Sequence, residues 1–170
     1  EIERGIALDP GNSKGYEAAG DLYRVEKDFE RADNRYAQAV QKNPGDVWIA
    51  VRRVDNLLDA GRNETAVGLL KEATERFSGE PHLYYLLGRA YSHLGDSESA
   101  LLAAKTAVSM AERTAAVNLS RGVGYGLALA EIYEGAGMQR EAEAAYRSVL
   151  DLDPKNNDAT KGLRRLGERS

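Results

Sequence analysis

The chain contains no cysteine. Disulfides, thiolate metal sites and cysteine nucleophiles are therefore excluded, and oxidising and reducing compartments stay equally open. Histidine occurs twice, at His82 and His93. On one helix an eleven-residue separation is about three turns, or ~16 Å, too far for a shared metal ion. No His-Glu-x-x-His run is present. The stretch Gly122-Val123-Gly124-Tyr125-Gly126 lacks both the spacing and the preceding strand of a phosphate-binding loop, and reads as a flexible helix start or a close-packing site. No apolar run approaches the ~20 residues that cross a bilayer, so direct membrane insertion is not expected. There is no polybasic tract: 23 basic and 27 acidic residues are mixed along the chain, which makes nucleic acid a poor partner. With no catalytic constellation in sight, neither an enzyme, a metal nor a cofactor is expected.

What is present is a period. Pro10 and Pro44 stand 34 residues apart, and the residues between them recur one period later with similar chemistry. From Ser13 the first unit places Tyr16, Gly20, Tyr23, Ala32, Tyr36, Ala39 and Pro44; from Pro81 a later unit places Tyr84, Leu87, Gly88, Tyr91, Gly95, Ala100 and Ala107. A fixed period in this range marks stacked supersecondary units. Four units are laid out over 13–46, 47–80, 81–114 and 123–156, preceded at 1–10 by the end of another repeat. Residues 115–122, assigned to a third unit of 81–122, lengthen the preceding helix, lengthen the following one or form a loop; their alanine and leucine favour helix, with a break expected near Ser120 to Gly124. Residues 157–170 read as an amphipathic end helix, with Ala159, Leu163 and Leu166 on one face and Lys161, Arg164 and Arg165 elsewhere.

Each unit reads as two amphipathic helices. The turns Glu26-Lys27-Asp28, Ala60-Gly61-Arg62, Leu94-Gly95-Asp96 and Ala136-Gly137-Met138 join them, with glycine supplying the left-handed residue that ends a helix. Asn63 and Ser97 are placed to cap the helices that follow. Pro10, Pro44 and Pro154 stop propagation just past second helices, and Pro81 opens a first helix, where its missing N–H costs nothing. Gly20 and Gly88 predict close approach of the partner helix, opposite Ala32 and Ala100.

These residues resemble the tetratricopeptide repeat. The first and third units match it well, the fourth less closely (Leu129, Ala130, Tyr133, Gly137, Ala142, Tyr146, Pro154). The second departs most, with Ala50, Arg53 and Val54 in place of a large aromatic, leucine and glycine. The resemblance implies an all-α fold: an α-solenoid of antiparallel helix pairs in a right-handed superhelix, whose first helices line a concave groove. Carried over, the groove positions are Lys14, Glu17, Asp21 and Arg24; Trp48, Val51, Arg52 and Asp55; His82, Tyr85, Arg89 and Ser92; and Leu127, Glu131 and Glu134, with Gly124 at the edge. Helical spacing supports each set. Trp48 stands out, because the family's core aromatic would fall at Ala50, which turns Trp48 toward the groove. The competing position for this ring is between the first two units. Tyr85, Arg52 and Arg89 complete the expected contact, with His82, Asp55, Asp21 and Glu131 beside them. Relatives that clamp a terminal carboxylate use lysine, asparagine and arginine. Glu17, Asp21, His82 and Leu86 stand at the matching places here, so that activity is not expected.

The function that follows is a protein–protein interaction scaffold holding a peptide or helix in its concave groove. The second reading is a structural spacer or assembly segment of a larger multi-repeat protein, such as a bacterial envelope scaffold for secretion or polysaccharide export, with the half-repeat at 1–10 as an edge for self-association. Neither reading names the partner or the compartment.

Overall fold

A computed structural model describes residues 6–113 and 119–168, with the side chains of Leu119 and Ser120 outside that description. Among the described residues all regular structure is helical. The chain divides into two compact units, Glu1–Ser78 and Gly79–Ser170.

In the first unit a short helical stretch, Ile6 to Leu8, precedes α1 (Ser13–Val25), α2 (Phe29–Lys42), α3 (Val47–Asp59) and α4 (Asn63–Arg76). Apolar side chains recur every three or four residues on each helix and meet between helices. Ile6, Tyr16, Ala19, Ala39 and Ile49 form one buried cluster. Gly20 lets α2 approach closely: a Cβ there would stand 2.6 Å from the Tyr36 ring. The nearest atoms to that Cβ all belong to the Tyr36 ring, and Ala32, expected opposite Gly20, is fully buried on the same helix. Asn56, fully buried, donates from Nδ2 to the Phe29 carbonyl at 2.9 Å and ties α3 to the start of α2.

The second unit holds α5 (Pro81–His93), α6 (Ser97–Arg113), α7 (Leu119–Gly135), α8 (Gln139–Leu152) and α9 (Asn157–Glu168). Gly88 brings α6 onto α5, where an added Cβ would meet the Ala100 carbonyl at 3.2 Å. The cluster of Val123, Ala130, Tyr133, Ala142, Tyr146, Val149, Ala159 and Leu166 joins α7, α8 and α9. α9 reaches its neighbours through Gly162, whose missing Cβ leaves room for the Tyr146 ring. The break expected near Ser120 to Gly124 is absent: α7 runs unbroken through those residues. Close packing explains part of this, since a Cβ on Gly126 would lie 2.8 Å from Val149 Cγ2. Residues 115–118 of the expected extension lie outside the described residues.

The four intra-pair turns share one left-handed residue, Gly61, Gly95 and Gly137 at φ +70 to +75° and Lys27 at φ 60°. Capping differs from expectation. Asp28 accepts from the Arg31 N–H and Asp96 from the Ser99 N–H, both at 3.1 Å. Ser97 therefore lies inside its helix, one residue beyond the cap. Arg62 is the N-cap of α4, so Asn63 too lies inside its helix, one residue beyond the cap position. The left-handed residue sets where each second helix starts, and the cap falls on the residue directly after it.

Candidate functional site

In the second unit, Glu80 caps α5 by accepting from the His82 N–H at 3.1 Å, and Pro81 occupies the first turn. That start fixes a stripe of His82, Tyr85 and Arg89 at three- and four-residue intervals. Facing it on α7 is a stripe of Gly124, Tyr125, Leu127 and Glu131. Between the two helices lies an open cavity of about 300 Å³, lined by Tyr85, Arg89, Ser92, His93, Gly124, Leu127, Ala128, Glu131 and Ile132. A Cβ at Gly124 would touch nothing within 4 Å, so glycine there leaves space unfilled.

Three rings form one edge of this site. His82 stacks on Tyr85 with centroids 5.2 Å apart, and Tyr125 packs on Tyr85 at 5.2 Å and on His82 at 6.0 Å. The Tyr125 hydroxyl lies 3.4 Å from His82 Nδ1, which accepts when the imidazole proton is on Nε2. Burial pushes the His82 pKa down, reinforced by the Arg121 charge, so the ring is neutral near pH 7. Burial likewise pushes the Tyr125 hydroxyl up to about 12, with Glu80 adding to it. Arg89 lies over the Tyr85 ring, 5.7 Å from its centroid. Across the cavity Glu131 is raised, first by partial removal of water, with Arg165 opposing and Asp158 adding. An aromatic edge with a cation on one wall and a carboxylate on the other suits an apolar or aromatic side chain with polar neighbours of either sign.

Glu134, expected on the same face, is engaged within the protein. It accepts from the Tyr146 hydroxyl at 2.8 Å and from Arg165 at 2.8 and 3.1 Å. Burial first, then that hydrogen bond, raises the Tyr146 pKa. Arg165, placed away from the apolar face of the end helix, acts as a tether: its bond to Glu134 is the main cause of its raised pKa.

The first unit arranges its first-helix residues differently. Trp48 is 37% exposed, and its backbone N–H donates to the capping Asp46 carboxylate at 3.0 Å. Arg52 grips Asp21 through two contacts of 2.9 and 3.0 Å, and Asp21 also accepts from the Tyr36 hydroxyl at 2.7 Å. Arg24 pairs with Asp59 at 2.7 Å. Asp55 is half-buried. Two carried-over groove positions are corrected. Val51 is buried, because its place on α3 turns it into the packing with neighbouring helices, and Glu17 is buried against Ser13 and Lys14.

Of the residues singled out from sequence, Tyr85, Arg89 and Glu131 line one cavity, with His82 in the adjoining ring cluster, and Asp21 and Arg52 meet as an ion pair. Tyr125 and His93 were missed. Tyr125 sits among glycines, in a segment read as a flexible helix start or a close-packing site, whereas its spacing from Leu129 and Ile132 carries a helical signal.

Helix pairs joined by short left-handed turns, with first-helix faces set side by side, define a helical-repeat protein. Family models for the tetratricopeptide repeat match residues 51–119 and 127–156, and the chain belongs to that family. No curated protein sequence matches it. Among solved structures it is similar to TTC0263, a thermophilic TPR protein of Thermus thermophilus, with TM-score 0.77 and 20% identity over 97% of this chain and 86% of that one. It is similar to YrrB, a TPR protein with an unusual peptide-binding site, with TM-score 0.68 and 17% identity over 99% and 82%. It is also similar to the first TPR of Spaghetti (RPAP3), bound to the HSP90 peptide SRMEEVD, with TM-score 0.63 and 18% identity over 72% and 90%. At these identities the likeness is one of fold.

Proposed function

We propose that the chain is a protein-interaction scaffold that holds a peptide or helix against its first-helix faces, with the cavity between α5 and α7 as the principal contact of the second unit. The observation that carries this reading is the convergence of Tyr85, Arg89, Gly124, Leu127 and Glu131 on one open cavity of about 300 Å³. Tyr85 and Leu127 provide apolar area, and Arg89 and Glu131 set polarity and direction. Trp48 is the corresponding contact in the first unit. Two of the structural neighbours are described as peptide binders. The bound peptide in one of them is acidic; here Asp21 neutralises Arg52, and Glu17 lies nearby, so a terminal-carboxylate clamp on the first unit is disfavoured. No helix of the described residues is long and apolar enough to cross a membrane, and none is needed for this reading. Among the described residues no group of three or more acidic or histidine side chains is placed to hold a metal.

The test uses peptides selected from a random display library on the whole chain. Tyr85→Ala combined with Arg89→Ala weakens the selected peptide at least tenfold while helical content is kept. Unchanged affinity in that double variant removes the α5–α7 cavity as the site.

A further inference from the structure

A second cavity, of about 120 Å³, lies in the first unit. Its apolar lining is Val40, Pro44, Ala50, Leu69, Ala73 and Phe77, and Asp46, Arg53, Glu72 and Arg76 complete it. Ala50 is two residues from both Trp48 and Arg52. At 3.6 residues per turn this places it ~200° around α3, away from the face they share. The cavity is thus independent of the peptide-binding face proposed above.

The chain's own period shows what shape is missing. One period earlier, Val40, Pro44, Ala50 and Ala73 become Ile6, Pro10, Tyr16 and Ala39. In that earlier repeat Tyr16 is buried, clusters with Ile6 and Ala39, and donates its hydroxyl to the Pro10 carbonyl at 3.3 Å. The second repeat keeps the surroundings and replaces the ring with a methyl group. Val40 and Pro44 still line the slot, and Pro44 occupies the place that Pro10, the acceptor of the Tyr16 hydroxyl, holds one period earlier. The fourth repeat also lacks a ring at this place, but there Val149 closes on Gly126.

Two cations suit the vacancy to an aromatic group. Arg53 is held by Asp33 at 2.7 Å, and the Arg76 guanidinium lies over the Phe77 ring, 5.4 Å from its centroid. Both line the cavity, so an entering ring meets aliphatic walls, a second ring and positive charge. Ala50 is itself partly exposed, so the slot opens to solvent. We infer that the slot beside Ala50 binds a tyrosine side chain presented by a partner polypeptide, in the pose that Tyr16 takes one repeat earlier.

The experiment titrates the whole chain with p-cresol and with N-acetyl-tyrosinamide, followed by NMR. Both probes are expected to give saturable shifts centred on Val40, Ala50, Ala73 and Phe77. Ala50→Tyr supplies the ring internally: it raises Tm and weakens both probes at least tenfold. Ala50→Leu, a smaller filling that retains helicity, is the companion variant if Ala50→Tyr misfolds, and it too weakens both probes at least tenfold. Shifts that are absent or scattered, or filled variants that bind like the parent, overturn the assignment. Binding of p-cresol without N-acetyl-tyrosinamide overturns the polypeptide partner, since the slot then admits a free phenol but no residue within a chain.

Discussion

The first-helix faces of the two units hold comparable positions and are finished differently. In the first unit Arg52 meets Asp21 at 2.9 Å and Arg24 meets Asp59 at 2.7 Å, so the charges of α1 and α3 are matched to one another. In the second unit α5 and α7 meet through His82, Tyr85 and Tyr125, and beside the rings they leave a cavity with Arg89 and Glu131 on its walls. Ion pairs between neighbouring helices consume the groups that would greet a ligand. Rings with glycine between them leave volume and polarisable surface in reach. A repeated backbone thus dictates where side chains stand, while residue type decides whether a face closes on itself.

One device occurs in both units and differs in burial. Tyr36, Asp21 and Arg52 form a hydroxyl–carboxylate–guanidinium chain in the first; Tyr146, Glu134 and Arg165 form it in the second. The Asp21 side chain is 43% exposed and that of Glu134 only 10%. Tyr36 and Tyr146 are both fully buried and the Arg52 and Arg165 side chains are similarly exposed, so the difference lies in the carboxylate. Removing Glu134 leaves the Tyr146 hydroxyl facing a buried gap, whereas water can enter the exposed place left by Asp21.

The largest expected effect follows from that difference. Glu134→Ala lowers stability by about 1–3 kcal/mol, the cost of an unsatisfied buried hydroxyl, and Asp21→Ala by less than about 1 kcal/mol. Chemical denaturation of the two variants measures both, and equal losses would erase the distinction. Next comes binding. For a selected peptide, Tyr85→Ala with Arg89→Ala costs at least tenfold in Kd, about 1.4 kcal/mol, while Arg52→Ala changes it less than threefold; calorimetric titration that reverses this order would move the site to the first unit. Smaller again is Lys27→Gly. This turn alone among the four places a side chain at positive φ, and glycine there gains about 1 kcal/mol, read as a rise in Tm. The smallest effect is on pH dependence. Burial holds the folded His82 pKa below its ordinary 6.5, so between those two values the unfolded chain binds the extra proton. Stability contributed by the neutral ring is complete above that ordinary value and declines as pH falls below it. His82→Phe should flatten this decline in denaturation curves taken from pH 8 to 5; an unchanged slope would show that His82 does not carry it.

Much of the architecture was readable because it depends on local spacing. The 34-residue recurrence, the prolines after second helices and the glycines at the turns act through neighbours a few residues away, and Gly61, Gly95 and Gly137 adopt the conformation their turns require. The stripe of His82, Tyr85 and Arg89 was legible for the same reason. What the sequence concealed was longer in range. Val51 is buried where its helix packs on its neighbours, and Glu17 is buried beside Ser13 and Lys14. Arg165 lies off the apolar face of its helix, and nothing local says that α9 sets it beside Glu134, 31 residues earlier. Tyr125 was masked by its glycines, whose helical state rests on packing such as that of Val149 on Gly126.

By itself, then, the order of residues determined that this protein is built of paired helices, where each turn falls and which stripes of side chains share a helix face, since backbone sterics and a fixed rise per residue decide those locally. Only the tertiary structure decided which charges neutralise one another, that Arg89 and Glu131 face across a cavity, and that the place of Tyr16 is left vacant beside Ala50. Those outcomes depend on distances between helices, and such distances are set by the sum of many packed contacts, which no single stretch of sequence contains.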